Sequence, residues 1–483
     1  MNRPIIRLYG LVVVLFALLV AFTSRWTVFE AASLRDNKLN ARSTLEQQRI
    51  ARGEIRAADG TVLARSVLGP ESTYSRTYPA GELFAQAVGY SYPLTRGRAG
   101  IESFRNALLN GENDTGLQKI LDQLQGKKPQ GDEVITTLEP AAQRVAISAL
   151  GEHEGAVVAL DPRTGAVEVM ASTPGYDPSA LSSEARYEHL LRETESKPPR
   201  KSLLNRATQF GYAPGSTFKI VTATAAIDTG AYTPESTVSG RNDVVISGKP
   251  LGNDDNESLG PITLTYALAH SVNTVWAQVA VKLGKQTLKR YMDRFGFNRK
   301  PELDYPAEQM SASGEKSGER IVDPLSPSVD VGRMGIGQDK LVVTPLQMAE
   351  VAATVANGGR LMTPHLTDRI VDAEGRVVER VSPHLQSVVM KPSTAGAVRS
   401  MMEAVVNEGT GVAAQIPGVQ VAGKTGTAET QIGTAINNVW FIAFAPAQNP
   451  RVAVAVTLQH VPGQGAAFAA PVAKQVIESL LRG

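Results

Sequence analysis

The order of apolar and polar positions along the chain divides it before any chemistry is considered. From Leu8 to Ser24 the run "LYGLVVVLFALLVAFTS" carries no charge and is mostly apolar. It lies at the short end of the length that spans a bilayer as a helix. Arg3 and Arg7 precede it, so the positive-inside rule holds the N-terminus in the cytoplasm and sends the rest of the chain across, with Trp26 suited to the far interface. A cleaved signal peptide is the competing reading, but "AFT" is a poor small-x-small site, which favours an uncleaved anchor.

Beyond the anchor the segments are short and rich in Arg, Gly and Glu. Within "ARGEIRAADGTVLARS" (51–66) the pattern predicts strand, Asp59-Gly60 turn, strand. "VITTLEPAAQRVAISAL", from Val134, predicts a strand and then an amphipathic helix starting near Glu139-Pro140, which sets a domain boundary there. "GAVVALDPRTGAVEVMAS" (155–172) predicts a hairpin across Asp161–Gly165, and "VWFIAFAP" with "RVAVAVTLQ" predicts another across Ala447–Pro450. Helical patterns fill the space between, among them 344–359, which ends on a glycine pair. The expected fold is α/β in composition, with one antiparallel sheet assembled from both ends of the domain and a helical insert. The polar segments 183–203 and 301–330 are expected to be loops.

Composition narrows the functional classes. With 483 residues, 42% hydrophobic and 20% charged, the chain is long enough for two or more domains. A net charge of +2 from well-mixed 49 basic and 47 acidic residues gives no footprint for nucleic acid. The absence of cysteine excludes thiolate catalysis and Cys-based metal sites. The six histidines, at 153, 189, 270, 365, 384 and 460, form no close metal-ligand pair, and no metal site or cofactor is expected.

The candidate chemistry starts at "GYAPGSTFKI" (211–220), where Pro214-Gly215 opens a helical pattern that Gly230 closes. Ser216 and Lys219, three apart, share a face. A lysine kept neutral by burial and by a neighbouring positive charge can serve a serine as base. The pair alone is not specific: Ser313-Gly-Glu-Lys316 repeats it, in a stretch expected to be a solvated loop. Ser271-Val-Asn273 lies between two helical patterns, where a turn could project a hydroxyl and an amide, although such residues more often cap a helix. Lys424-Thr-Gly-Thr427 opens the last sheet region; the glycine suggests a ligand approaching the backbone, and an ordinary edge strand is the plain alternative.

In this order the motifs match S-x-x-K, S-x-N and K-T-G. The chain resembles the class B penicillin-binding proteins, most of all their actinobacterial PbpA type, over essentially its whole length. "RGEIRAADGTVLA" and "GRAGIESFRNALLNG" (97–111) carry the likeness before residue 134, and "MGIGQDKLVVTPLQMAEVAATVANGG" carries it afterwards.

The resemblance implies a tail at 1–7, a transmembrane anchor at 8–24, an N-terminal pedestal or interaction domain at 25–133 and a penicillin-binding transpeptidase domain at 134–483. It implies a peptidoglycan D,D-transpeptidase, inhibited by β-lactams, that forms an acyl-enzyme on Ser216. Lys219 would be the base, and Ser271 with Lys424 would relay a proton to the leaving D-alanine. Asn273, Thr425, Gly426 and Thr427 would bind the stem peptide, and the backbone N–H groups of Ser216 and Thr427 would form the oxyanion hole. A SEDS-family glycosyltransferase is the implied partner, at an extracytoplasmic location.

Four features separate this chain from related families. The middle motif is Ser-Val-Asn, and no E-x-x-L-N lies between Asn273 and Lys424, so a long-lived penicilloyl-enzyme is expected rather than a class A β-lactamase. No glycosyltransferase-like domain precedes the motifs, and no PASTA repeats are expected after the last helix. The alternatives are a β-lactam sensor or scaffold and a D,D-carboxypeptidase; turnover with an acceptor amine separates them.

Overall fold

A computed structural model describes residues 3–25, 47–112, 130–195, 201–318, 320–429 and 436–482. Arg3–Ser24 is one helix with no buried residue, apolar enough and long enough to cross a membrane. At 1.5 Å per residue its 22 residues reach about 33 Å, close to the thickness of a hydrocarbon core. Trp26 lies outside the described residues.

Five antiparallel strands form the central sheet, in the order 422–429, 436–445, 452–462, 155–160, 167–173. Both hairpins expected from the sequence are present, and they meet where Val452–Pro462 pairs with Gly155–Leu160. The near-continuous apolar runs follow from burial on both faces. In Gly155–Leu160, Ala156, Val158 and Leu160 join the core on the side of the helical insert, while Val157 and Ala159 face a second core. Ile436–Ala445 divides likewise: Trp440, Ile442 and Phe444 to the first core, Phe441, Ala443 and Ala445 to the second. Helices Pro140–Leu150 and Gly465–Arg482 cover that second face.

The helical insert holds a helix buried almost all round. In Lys219–Asp228 every residue from Lys219 to Ala226 is buried, a lysine and two threonines included. Pro345–Ala356 also packs against the central sheet and ends before Gly358 and Gly359, both at positive φ.

A six-stranded sheet lies in the N-terminal part, in the order 377–380, 367–371, 133–136, 55–56, 62–68, 74–77. The Asp59-Gly60 hairpin occupies one half of it. Two strands from far along the chain, Thr367–Val371 and Val377–Arg380, complete the other half. Beside its edge strand Tyr74–Thr77, Glu102 of the short helix Gly100–Phe104 is fully buried between Arg52 (Nε–Oε2 2.6 Å) and Arg76 (Nε–Oε1 2.5 Å). "RGEI" and "GIESF", far apart in sequence, thus meet through one ion-pair triad.

Two expected loops are corrected. Residues 184–195 form a helix, since "EARYEHLLRETE" is rich in good helix formers and Tyr187 and Leu190 pack beside Ala85, Tyr176 and Leu181. Within 301–330, Gly314–Ser317 is a strand paired with both Arg320–Ile321 and Leu341–Val342. Ser313 is accordingly buried, and its hydroxyl accepts from the Thr344 N–H at 3.1 Å.

Candidate active site

Ser216 sits in a single 3₁₀ turn, Gly215–Phe218, that runs directly into the buried helix Lys219–Asp228. In such a turn side chains at i and i+3 eclipse, which sets Ser216 and Lys219 in line. Gly215 makes the turn possible. Its φ is +52°, and a Cβ there would stand 2.5 Å from the Thr427 carbonyl oxygen. The close approach brings the backbone of the turn against the strand that carries Lys424-Thr-Gly-Thr427. Ser216 is half-buried, and its hydroxyl has no hydrogen-bond partner among the described residues.

Ser271 lies between the helices Leu264–Ala269 and Asn273–Arg294 with φ +60°, a left-handed conformation that a non-glycine residue adopts at a cost. Lys219 Nζ donates to the Ser271 carbonyl oxygen (2.7 Å), to Ser271 Oγ (3.2 Å) and to Asn273 Oδ1 (2.7 Å). From the edge strand Ala422–Glu429, Lys424 Nζ donates to the same Ser271 Oγ at 3.0 Å, to the Thr425 carbonyl oxygen at 3.0 Å and to Thr425 Oγ1 at 3.4 Å.

Both lysines are fully buried, and this governs their protonation. Burial drives Lys219 far below its ordinary value, and the charge of Lys424 lowers it further. Burial also brings Lys424 down to about 7, against an opposing pull from Asp254. A neutral amine keeps two N–H donors for the two 2.7 Å acceptors, the Ser271 carbonyl and Asn273 Oδ1; it gives up the 3.2 Å donation to Ser271 Oγ, and its lone pair can receive a proton from a hydroxyl.

One network therefore joins Lys219, Ser271, Asn273, Lys424 and Thr425. Thr427 stands apart from it: its hydroxyl accepts from the Gly465 N–H at 3.3 Å, where the C-terminal helix starts. Gly426 needs a different explanation from the one its sequence suggested. What approaches it is protein, since a Cβ there would lie 2.8 Å from the Pro214 carbonyl oxygen and 2.9 Å from Thr217 Cγ2. The repeat at Ser313 and Lys316 contributes to none of these hydrogen bonds.

Three residues in the site's surroundings carried no signal in the sequence. Asp254 Oδ1 accepts from Asn273 Nδ2 at 3.2 Å. Thr410 Oγ1 lies 2.6 Å from Thr425 Oγ1, and Trp440 Nε1 donates to the Ala213 carbonyl at 2.9 Å, pinning the segment before Ser216. Each sits in an ordinary polar or strand context, and only long-range pairing gives it a role.

Residues 155–478 match the family model of the penicillin-binding protein transpeptidase domain, and residues 52–134 match that of the penicillin-binding protein A dimerisation domain. The chain belongs to the class B penicillin-binding proteins. It is 34% identical to the peptidoglycan D,D-transpeptidase PbpA of Mycolicibacterium smegmatis over 504 aligned positions, covering 100% of this chain and 99% of that protein. Against PbpA of Mycobacterium tuberculosis the identity is 33% over 512 positions, with both chains fully covered. Among solved structures, the ceftriaxone acyl-enzyme of M. tuberculosis penicillin-binding protein A superposes with a TM-score of 0.81 at 31% identity, covering 90% of this chain and 100% of that one. The imipenem acyl-enzyme of the same protein gives 0.81 at 32%, with the same coverage. Within this penicillin-binding protein the hydrogen-bonded cluster falls inside the matched transpeptidase domain, and Arg52, Arg76 and Glu102 fall inside the matched dimerisation domain.

Proposed function

We propose that this chain is a peptidoglycan D,D-transpeptidase acting through an acyl ester on Ser216. The observation that carries the proposal is the convergence of Lys219 and Lys424 on the Ser271 hydroxyl, with Ser216 eclipsed one turn before Lys219. Its end-to-end likeness to proteins named for that activity agrees with the geometry.

In the first half-reaction Ser216 Oγ bonds to the carbonyl carbon between the two terminal D-alanines and gives its proton to neutral Lys219. The peptide C–N bond breaks, and the departing amine takes a proton relayed through Ser271, with Lys424 as the charged neighbour. Backbone N–H groups of Ser216 and Thr427 receive the developing oxyanion; the contact of Gly215 with Thr427 supports this pairing. Thr425, Thr427 and Lys424 hold the terminal carboxylate. Asn273 orients a stem amide, and the edge position of Ala422–Glu429 leaves a side along which an extended peptide can lie. In the second half-reaction an amine of a neighbouring stem attacks the ester carbon, the C–Oγ bond breaks and Ser216 regains its proton. A β-lactam enters the same first step and stays as the ester.

The helix Arg3–Ser24 serves as a single-pass anchor with Arg3 and Arg7 on the cytoplasmic side, which places the catalytic part outside. A SEDS-family glycosyltransferase is the partner that supplies nascent glycan strands, contacted through the anchor and the N-terminal part. Val67, Leu68 and Leu94, exposed there, are apolar positions on which it could rest. The test of the reaction is incubation with a D-Ala-D-Ala donor, with and without an acceptor amine. Cross-linked product that depends on acceptor supports transpeptidation, and D-alanine release alone supports carboxypeptidation.

A further inference from the structure

The polar stretch 252–257 touches the site through two residues. Asn253 anchors it: its Nδ2 donates to the carbonyl oxygens of Gly240 (2.9 Å) and Glu257 (3.0 Å), and its N–H donates to Asn242 Oδ1 (2.8 Å). Its Oδ1 accepts from the Thr274 N–H at 3.0 Å, in the first turn of the helix that Asn273 begins. The neighbouring Asp254 is thereby held where its Oδ1 accepts from Asn273 Nδ2 at 3.2 Å. An amide has one donor side and one acceptor side. With the NH₂ group committed to a carboxylate, the carbonyl oxygen must face the other way, where Lys219 donates to it at 2.7 Å.

We propose that Asp254 is a positioning residue for acylation, fixing the Asn273 amide with its oxygen toward Lys219 and placing a negative charge that acts on both lysines. The proposal rests on the reading of Ser216 as nucleophile given above. Asp254 touches neither Ser216 nor any reacting atom; it acts through Asn273 and through its field.

The field has a definite sign. Burial lowers both lysines, Lys424 lowers Lys219 further, and Asp254 opposes this at each of them. Among the described residues, the charged groups around the loop include Lys219 from the buried helix, Lys424 from the edge strand, the loop's own Glu257, Arg333, whose Nη2 donates to the Pro250 carbonyl oxygen at 3.1 Å, and Asp243, whose Oδ1 lies 3.9 Å from where a Cβ on Gly252 would stand. Acylation needs Lys219 neutral and Lys424 charged. Its rate therefore rises with pH through the first value and falls through the second. Removing the Asp254 charge lets both values drop, and both limbs move toward acid.

The experiment measures acylation by a fluorescent penicillin, on the full chain in detergent, from about pH 5 to 9. Asp254→Asn keeps an oxygen for Asn273 and loses the charge. It is expected to retain most of the maximal rate and to shift the profile by about half a pH unit toward acid. Asp254→Ala also frees the amide, and it should show the same shift with a maximum lowered about tenfold. An Asp254→Asn profile that overlays the native one, or one merely scaled down at every pH, overturns the proposal. Peptide mapping of the penicilloyl group keeps the claims apart. Label elsewhere than Ser216 overturns the assignment of the site, whereas label on Ser216 with an unshifted profile overturns only the role of Asp254.

Discussion

Lys219, from a buried helix, and Lys424, from an edge strand, reach the same hydroxyl: their Nζ atoms lie 3.2 and 3.0 Å from Ser271 Oγ. Two ammonium groups that close, both removed from water, repel strongly, and the stable arrangement keeps one of them neutral. The deeper depression of Lys219 marks it as the neutral partner and Lys424 as the one that keeps a proton longer.

A pH dependence follows from that division. With no ligand bound, Lys424 is brought down to about 7, so the second-order acylation constant should fall as pH rises through that value. A bound penicillin carboxylate favours the charged form and raises it, so the first-order rate at saturation should hold to higher pH. Stopped-flow acylation at low and at saturating penicillin measures both; identical alkaline limbs would speak against Lys424 as the carboxylate's partner.

Ser271 combines chemistry with a strained backbone, and two substitutions separate them. Ser271→Ala and Ser271→Gly should each slow acylation about 100-fold or more, since both remove the shared hydroxyl. The glycine variant accepts φ +60° without penalty and should melt at or above the native temperature, by up to about 1 kcal/mol of added stability. The alanine variant should gain nothing. Thermal melts beside acylation rates check this, and equal melting of the two variants would remove strain from the account.

Gly215 joins the nucleophile turn to the edge strand. Gly215→Ala puts a Cβ against the Thr427 carbonyl at 2.5 Å and asks alanine for a left-handed φ, at a cost of roughly 1–3 kcal/mol. Denaturant unfolding should register that loss, and acylation should fall with it as the two oxyanion N–H groups move apart. A variant that acylates at the native rate would show that their spacing is not set here.

Far from the site, Glu102 tests what holds the N-terminal sheet. Burial alone would raise its carboxyl, but Arg76 and Arg52 hold it below the usual range. Its stabilisation is thus full above the unfolded carboxylate value and is lost as pH falls through the lower folded one. Glu102→Gln leaves two buried guanidinium groups without their counter-ion and should cost about 3–5 kcal/mol, measured by thermal unfolding at neutral pH. The native chain should lose stability as pH falls through the lowered carboxyl value, and Glu102→Gln should lack that part of the acid dependence.

The central sheet was legible because burial on both faces writes long apolar runs, and tight turns join their ends. The helix start at Pro214-Gly215 and the turn at Ser271 were legible for a similar reason: local backbone demands leave local marks. The strands 367–371 and 377–380 were not, because Val377–Arg380 is exposed throughout and pairs only with Thr367–Val371, whose own place comes from pairing with Glu133–Thr136 far earlier in the chain. Asp254 was hidden for the opposite reason. In "GNDDNES" any of several side chains could face the site, and only the anchoring of Asn253 selects one. The second Ser-x-x-Lys shows how far context reaches. Its lack of a helix start separated it from Ser216, yet its serine is buried by strand pairing that the polar sequence conceals.

The most direct test of Ser216 as the acylated residue is labelling with a fluorescent penicillin, followed by denaturing electrophoresis and peptide mapping. The native chain and Ser313→Ala should both carry the label, on the peptide that contains Ser216, and Ser216→Ala should carry none. Undiminished labelling of folded Ser216→Ala would contradict the account.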